Sequence, residues 1–303
     1  MRAVRYERYG PPEVLTVVEI DRPVVKPGEV LVKLVAAGLN PADYKVRRGA
    51  TPIRELPSGI GREFSGVIVE LGADVQDFAE GDSVIGTGEW VIGELCAVDQ
   101  SHVMRCPEGL SLATAACLPV APQTAWCALE SQAGSLAPGS TIVISAAGGN
   151  VGFVAAQLAR KQGLKVIGVA SALQEQRLNS LGVIRVDPGP GLVQRILAVA
   201  PEGIDCVLDH SGAETIEASL ELGVPRDRIN SVSGYAENYG VRSVGRSGLE
   251  PTILAELSRL IVAGELEVPL EARYPLNRAV DAYRHLEQNR PLGRIIIDFS
   301  LQE

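Results

Sequence analysis

A turn of small residues with the spacing of a phosphate-binding loop stands near the middle of the chain. It reads Ala147-Gly148-Gly149-Asn150-Val151-Gly152, between a β-branched run and a segment whose apolar residues recur at helical spacing. In a G-x-G-x-x-G turn, small residues permit the tight bend, the close approach of the backbone to a pyrophosphate, and close packing of the helix on the strand. The N–H groups and the positive end of the helix dipole then face the phosphates. We therefore predict that residues 147–151 bind a dinucleotide, although the same residues would also suit close packing alone.

The composition restricts the class of protein. The chain has 303 residues, of which 46% are hydrophobic and 21% are charged, and its formal net charge is −9. These values are ordinary for a globular protein, and the negative charge argues against broad binding to a nucleic acid backbone. The sequence has no apolar run of membrane-spanning length, and its five cysteines are dispersed, without the spacing of a zinc or disulfide framework. We expect a cytoplasmic protein without a nucleic acid or membrane partner.

The first hundred residues predict a β-rich domain. Short, mainly apolar runs, such as 15–20, 30–35 and 65–71, alternate with glycine and proline, as in a small barrel or sandwich. Asn40-Pro-Ala-Asp43 predicts a turn that opens a short helix, with Pro41 at its first position. Residues 294–299 form a strongly apolar last strand, and we expect its partner in the amino-terminal β-rich part.

From about residue 112 the pattern changes to alternating helices and strands. Strands are predicted at 141–145, 165–170, 183–187, 204–209 and 228–233, with helical segments between them. These strands are continuous apolar runs, which is typical of a parallel sheet that is covered by helices on both faces. The sequence therefore predicts an α/β fold in which a doubly wound parallel sheet binds the nucleotide.

Several ordered motifs resemble the quinone oxidoreductase (zeta-crystallin-like) branch of the medium-chain dehydrogenase/reductases, over nearly the full length of the chain. Among them are Gly61-Arg-Glu-Phe-Ser-Gly-Val67 and the A-x-x-G-x-x-G signature that ends at Gly152. The others are residues 30–43, 80–82, 118–126, 274–276 and 293–297. The resemblance implies a Rossmann cofactor domain of residues 119–257 and a β-rich GroES-like catalytic domain of residues 1–118 and 258–303.

The resemblance also marks departures from the zinc-dependent alcohol dehydrogenases. In those relatives a Cys and a His ligate the catalytic zinc, and Asn40 and Arg62 stand at the corresponding positions here. An amide oxygen is a poor zinc ligand, and a guanidinium group cannot serve because its charge repels the ion. We therefore predict chemistry without a metal. The chain is also shorter than most relatives near residues 86–92 and after Gly234, which leaves substrate choice the least constrained part of the resemblance.

Without a metal, the chemistry depends on placing a nicotinamide against an electrophile. Asn40 is predicted to bond a cofactor ribose or the substrate oxygen, with a turn or helix-cap role as the alternative. Tyr44 is predicted to present its hydroxyl to a developing oxyanion, unless it is a half-buried core tyrosine. Asp43 is interpreted as a helix-start residue, with acid catalysis as the alternative, and His210 as a polar loop residue. A general-acid role for His210 is the alternative, because it ends a predicted strand of the sheet.

The end of the second predicted strand of the cofactor domain favours NADPH over NADH. Ser171 lies 22 residues beyond Gly149, about where NAD-specific proteins carry an acid that binds the ribose hydroxyls. This chain has Ala170 and Ser171 there, so no carboxylate would repel a 2′-phosphate. Ser171 could donate a hydrogen bond to the phosphate. Arg177 could reach it from the following helix, unless it is a solvated helix residue.

Four further residues complete the predicted cofactor site. Thr124 matches the family's threonine near the nicotinamide, and its alternative role is to bond its own helix backbone. The other three are Ser211, Gly234 and Tyr235.

Together these residues predict an NADPH-dependent oxidoreductase that passes hydride to quinones or α,β-unsaturated carbonyl compounds without a metal. An enoyl-thioester or biosynthetic enone reductase on the same fold is one alternative. A nucleotide-binding protein with a sensory or structural role and negligible turnover is another. By analogy with relatives we expect a homo-oligomer, with a homodimer as the expected form.

Overall fold

The strands occupy the short apolar runs that the sequence pattern marks. The structure is a computed structural model in which residues 1–50, 55–132, 136–288 and 291–301 are described. In chain order the strands are β1 (Arg2–Tyr6), β2 (Thr16–Glu19), β3 (Glu29–Gly38), β4 (Ser58–Gly59), β5 (Glu63–Leu71), β6 (Ser83–Thr87), β7 (Leu95–Asp99), β8 (Val103–Arg105), β9 (Thr141–Ser145), β10 (Lys165–Val169), β11 (Ile184–Val186), β12 (Cys206–Asp209), β13 (Ile229–Ser231), β14 (Leu270–Tyr274) and β15 (Arg294–Asp298).

The helices are concentrated in the second half of the chain. They are α1 (Pro41–Arg47), α2 (Leu112–Ala115), α3 (Ala121–Glu130), α4 (Asn150–Lys161), α5 (Glu175–Ser180), α6 (Leu192–Val199), α7 (Ala213–Glu221), α8 (Ala236–Tyr239), α9 (Pro251–Val262) and α10 (Ala279–Gln288). None of the helices in the described ranges has the length and apolar character that a bilayer crossing requires.

The contacts divide the chain into two units. Unit 1 comprises residues 1–121 and 248–303, and unit 2 comprises residues 122–247. The α/β class, with one β-rich part and one doubly wound part, is therefore confirmed. The domain limits given above from the resemblance stay a prediction.

Unit 1 is built on a seven-stranded sheet in the order β14-β15-β3-β5-β6-β8, with β7 also paired to β3. A smaller sheet has the order β2-β1-β4. Strand β15 is antiparallel to β3, with Ile297 opposite Ala37, and parallel to β14. The expectation that the last strand pairs with the amino-terminal part is therefore correct. Val32, Phe64 and Tyr283 contribute to the core between sheet and helices.

Unit 2 contains one parallel sheet in the order β11-β10-β9-β12-β13. The order reverses beside β9, the strand that precedes the glycine turn, and in such sheets ligands bind beyond the carboxyl ends of the strands at this point. Val143, Ile167 and Val207 on three neighbouring strands are buried in the same core cluster. Their burial explains why these three strands are mainly apolar. The glycine turn directly follows β9, so it lies at the ligand-binding edge of the sheet.

Candidate active site

The glycine turn of unit 2 has the geometry of a phosphate-binding loop. The first N–H groups of an α-helix have no intrahelical partner. Gly149, the residue before α4, has no side chain to cap them. A Cβ on Gly152 would lie 2.3 Å from the Ala146 carbonyl oxygen, so only glycine permits this approach of helix to turn. The left-handed backbone of the turn falls on Ala146, with φ 45°. These features suit the binding of a pyrophosphate at the helix end.

Gln174 covers the other side of the same turn. A Cβ on Gly148 would lie 2.3 Å from the Gln174 side chain, so the amide packs directly on this glycine. Gln174 is buried, and its Oε1 has no hydrogen-bond donor among the described residues. A buried acceptor without a donor costs free energy unless a water or a ligand supplies one. The residues around the turn therefore fit a ligand that has phosphate oxygens and nearby hydroxyl groups.

Serines at the carboxyl ends of β9 and β13 surround a carboxylate at the end of β12. Asp209 at the end of β12 accepts hydrogen bonds from Ser145 (2.7 Å), Ser231 (2.6 Å) and Ser233 (2.7 Å). The Gly212 N–H also donates to it, at 3.0 Å. Burial alone raises the pKa of Asp209, but these hydrogen bonds hold it below its ordinary value. The ionised carboxylate therefore ties β9, β12 and β13 together at the ligand-binding edge.

His210 follows directly after this carboxylate. Both of its ring nitrogens are buried and have no hydrogen-bond partner in the described part of the chain. Burial lowers the pKa of His210 to about 4, against the opposing effect of Asp209. The imidazole is therefore neutral at pH 7, which does not suit a general acid at that pH. His210 lies in the loop after β12, as interpreted from the sequence, although its ring nitrogens are buried.

The remaining predicted cofactor residues lie in unit 2. Thr124 is on α3 and is partly exposed. The Ser211 N–H donates to both Asp209 and Ser145, at 3.1 Å in each case. Gly234 has a left-handed backbone with φ 98°, and Tyr235 beside it is 45% exposed. Their roles toward a cofactor stay predictions.

Two residues predicted at the ribose end of the cofactor, Ser171 and Arg177, differ in their contacts. Ser171 directly follows Ala170 after β10, and its hydroxyl does not cap the short 3-10 helix that begins there. The Arg177 guanidinium carbon is 3.4 Å from the centre of the Phe153 ring, a cation–π contact. Arg177 is therefore more than a solvated helix residue, and its role toward a phosphate stays a prediction.

Asn40, in unit 1, is part of a buried polar network. Its Nδ2 donates to the Glu63 carboxylate at 2.7 Å, and its Oδ1 accepts from Arg294 at 3.1 Å. Arg294 also forms an ion pair with Glu63, and the Val120 N–H donates to the second Glu63 oxygen at 2.8 Å. An asparagine has further capacity at both ends of its amide, so these bonds orient the side chain and leave one donor and one acceptor position. A role toward cofactor or substrate stays a prediction.

Asp43 begins α1 as expected from the sequence. Its Oδ2 accepts from the Asn40 N–H at 2.8 Å and from the Tyr283 hydroxyl at 3.2 Å. Its Oδ1 is buried, lacks a hydrogen bond from the described residues, and is 3.7 Å from Arg62. Burial raises the pKa of Asp43 to about 6, against the hydrogen bond from Asn40 and the charge of Arg62. The carboxyl group borders a small cavity that Arg62 and Trp90 also line.

Tyr44 is half-buried on the next position of α1. Its ring packs against the core of unit 1, and the Arg48 guanidinium carbon lies 5.5 Å from the ring centre. Burial raises the pKa of Tyr44, and Glu287 adds to the effect. The hydroxyl is therefore protonated at neutral pH and is able to donate a hydrogen bond. Its catalytic role stays a prediction.

The residues at the positions of the family's zinc ligands do not fit a metal ion. The Asn40 amide bonds Glu63 and Arg294, and Arg62 and Arg294 bring positive charge to the same region. Across the described ranges there is also no group of three His, Cys, Asp or Glu side chains that could hold a metal. We therefore derive no chemical step through zinc.

Several residues that organise the Asn40 network and the carboxyl ends of the unit 2 strands were not predicted from the sequence. Glu63, Arg294 and Asp209 are buried charges that depend on partners far along the chain. A signal was present, because each charge stands at the end of a buried strand, and a charge that is buried there requires a partner. The sequence did not show which partner it was.

Two family models match the sequence. The one described as an alcohol dehydrogenase GroES-like domain matches residues 26–137. The one described as a zinc-binding dehydrogenase matches residues 191–297.

Relatives match over most of the chain. A 2-methylene-furan-3-one reductase of Solanum lycopersicum is 31% identical over 314 residues, which cover 98% of this chain and 79% of that protein. A polyketide synthase of Streptomyces halstedii is 33% identical over 290 residues, which cover 89% of this chain. The chain spans between 5% and 18% of the length of four polyketide synthases that it matches.

Solved structures share the whole fold. The quinone oxidoreductase of Coxiella burnetii is 29% identical, with a TM-score of 0.86 and coverage of 98% of this chain and 99% of that one. The Escherichia coli quinone oxidoreductase complexed with NADPH shares the fold, with a TM-score of 0.85, 24% identity and coverage of 98% and 100%.

A GroES-like β-rich unit and a doubly wound nucleotide-binding unit in one chain define an oxidoreductase. The match to the tomato reductase, over 98% of this chain and 79% of that protein, and the two family models specify which kind of oxidoreductase it is. This chain belongs to the medium-chain dehydrogenase/reductase superfamily, in the branch that contains the quinone oxidoreductases. The resemblance inferred from the sequence is confirmed.

Proposed function

We propose that this chain is an NADPH-dependent reductase that transfers hydride to quinones or α,β-unsaturated carbonyl compounds without a metal. The observation that carries the proposal is the pairing of the glycine turn with a sequence that has no acid at Ala170 or Ser171. The turn provides N–H groups for a pyrophosphate, and a missing acid leaves room for a 2′-phosphate. The E. coli neighbour, which was solved with NADPH, supports the same choice.

Each group on this chain has a proposed task. NADPH, when bound, supplies hydride from its nicotinamide ring. The first turn of α4 binds the pyrophosphate, and Thr124, Ser211, Gly234 and Tyr235 complete the cofactor site. The Tyr44 hydroxyl donates a hydrogen bond to the substrate carbonyl oxygen, where negative charge develops as hydride adds to the conjugated carbon. Asn40, oriented by Glu63 and Arg294, bonds the ribose or the substrate oxygen.

An enone or enoyl-thioester substrate is the second candidate within this proposal. The relatives above 30% identity include the tomato 2-methylene-furan-3-one reductase, whose name describes a conjugated enone, and polyketide synthases. The name of the tomato reductase favours reduction of a carbon–carbon double bond beside a carbonyl. The chain matches a small part of each synthase.

The test is NADPH oxidation, measured at 340 nm, over a panel of quinones, enones and enoyl thioesters, with a no-acceptor control. We expect turnover with at least one class, unchanged by a chelator and slower with NADH. Product analysis separates the classes, because an enone reductase returns a saturated carbonyl compound and a quinone reductase a hydroquinone. NADPH binding without acceptor-dependent oxidation across the panel would favour the non-catalytic alternative.

A further inference from the structure

A second arginine, in addition to Arg177, lies at the end of β10. Arg185 is the middle residue of β11, opposite Gly168 of β10. Its Nη1 donates to the Ala170 carbonyl oxygen at 3.0 Å. The guanidinium group is therefore held at the residue where NAD-specific relatives of this fold carry their ribose-binding acid.

The same guanidinium group has unused capacity. Nη1 donates to Asp187 Oδ1 at 2.6 Å, and Nη2 approaches Asp187 Oδ2 at 3.4 Å. Nε is buried and has no hydrogen-bond acceptor in the described part of the chain, and Glu175 lies 4.0 Å from it. An arginine has five N–H donors in a planar fork, so the Arg185 guanidinium group is able to bind another anion.

Ser171 and Gln174, just before α5, also have hydrogen-bonding groups that a ligand could use. The Ser171 hydroxyl does not cap the 3-10 helix that it precedes. The Oε1 atom of Gln174, on the same short helix, is buried without a donor. Serine at such a position ordinarily caps its helix, and a buried amide oxygen ordinarily has a donor. A ligand with hydroxyl and phosphate groups would satisfy both.

Building on the proposed use of NADPH, we propose that Arg185 is the residue that selects the adenosine 2′-phosphate. Asp187 holds the guanidinium group until the phosphate takes its place. Ser171 donates to the phosphate, and Gln174 accepts from a ribose hydroxyl without adding negative charge.

The exposed fractions of the Arg185 and Asp187 side chains support replacement of the Asp187 carboxylate by a phosphate. The Arg185 side chain is 12% exposed and fixed to the sheet, whereas the Asp187 side chain is 55% exposed. The hydrogen bond from Arg185 lowers the pKa of Asp187, so the carboxylate is ionised at neutral pH. A phosphate carries more negative charge than the Asp187 carboxylate and presents a similar pair of oxygens to the Arg185 guanidinium group. It is therefore the stronger partner. Arg177, by contrast, is stacked on Phe153.

The experiment measures binding by calorimetry and needs no turnover. The ligands are NADP⁺ against NAD⁺, and adenosine 2′,5′-bisphosphate against 5′-AMP, with the full chain. Arg185→Met should weaken both 2′-phosphate ligands by about ten- to hundredfold, the effect of losing a charge-assisted hydrogen-bond pair. NAD⁺ and 5′-AMP should change less than twofold. Arg177→Met is the matched control and should have a smaller effect on the 2′-phosphate ligands.

Asp187→Asn is the second variant. Because the Asp187 side chain is exposed, this substitution should not disturb folding. It should bind NADP⁺ more tightly, by at least about threefold, because the competing carboxylate is gone. If Arg185→Met keeps the preference for NADP⁺, or weakens all four ligands equally, the inference is wrong while the proposed function stands. If Arg185→Met does not fold, weaker NADP⁺ binding by Asp187→Asn overturns it. If the wild-type chain prefers NAD⁺, the proposed cofactor itself is wrong, and the inference with it.

Discussion

Removing the arginine from the Glu63–Arg294 pair should be among the most damaging single changes in unit 1. The Arg294 and Glu63 side chains are 2% and 0% exposed. In Arg294→Met, Glu63 keeps its hydrogen bonds from Asn40 and Val120 but loses its only cationic partner among the described residues. Breaking a buried pair in this way costs about 3–5 kcal/mol, because a charge is left without compensation. For a unit of this size that corresponds to a fall in Tm of about 6–20 °C.

The double variant separates this charge effect from lost packing. In Glu63→Gln/Arg294→Met the neutral amide still accepts a hydrogen bond from Asn40 or Val120, so no buried charge remains. We expect it to recover most of the loss and to lie within about 2 kcal/mol of the wild type. Arg278→Met is the control, because Arg278 forms an exposed pair with Asp281 that contributes about 0–1 kcal/mol.

The assay should report on unit 1 alone. Trp90 lies in unit 1 and Trp126 in unit 2, and the chain has no other tryptophan. In a Trp126→Phe background, the fluorescence of Trp90 during urea unfolding therefore follows unit 1. If Arg294→Met costs no more than Arg278→Met, the reasoning from buried charge fails. If the double variant is as unstable as the single one, packing and not charge explains the loss.

The other predictions concern the cofactor turn, the tyrosine and the pH dependence of stability. Gly149→Val should weaken NADPH binding at least tenfold, about 1.4 kcal/mol, measured by calorimetry; an unchanged Kd in a folded variant refutes the assignment. Tyr44→Phe should lower kcat by about tenfold or more without changing NADPH affinity, and an unchanged kcat removes the hydroxyl from the mechanism. The pKa of Asp43 is raised to about 6 in the folded chain, so the folded chain binds more protons than the unfolded chain between about pH 4 and 6. Asp43 therefore makes the free energy of unfolding fall as pH rises through this range. His210, with its pKa lowered to about 4, has the opposite effect between about pH 4 and 6.5. Urea unfolding of Asp43→Asn and His210→Gln across pH 4–7 should lose these two dependences separately, and a wild-type pH profile in either variant contradicts the corresponding assignment.

The fold of unit 2 was predictable because its signals are local. Strands β9, β10 and β12 are mainly apolar runs that are followed by helices, and the glycine turn joins β9 to α4 within a few residues. The start of α1 is local in the same way, because Pro41 and Asp43 act within one helical turn. Local patterns of this kind are read directly from spacing.

The partners of buried charges were not predictable, because they depend on the sheet. Glu63 and Arg294 meet only because β5 and β15 both pair with β3, at its carboxyl end. Arg185 reaches the end of β10 through the register of β11, which no spacing in the sequence encodes. A Gln174 side chain packed against a glycine is equally a result of tertiary packing. The sequence could therefore name the nucleotide turn, but not the groups that orient Asn40 or bind an anion beside Ala170.

The position of β15 has a consequence for how the chain becomes folded. This strand lies inside the unit 1 sheet, between β14 and β3, and its partner β3 comes from the first forty residues. All of unit 2 is synthesised between these two segments, as one uninterrupted stretch. Unit 2 therefore has all its strands before unit 1 does, and contacts between distant segments form slowly. Until β15 arrives, residues 36–38 of β3 lack one partner strand and Glu63 lacks Arg294, so the nascent β-rich part passes through a stage at which it is prone to aggregate or to bind chaperones.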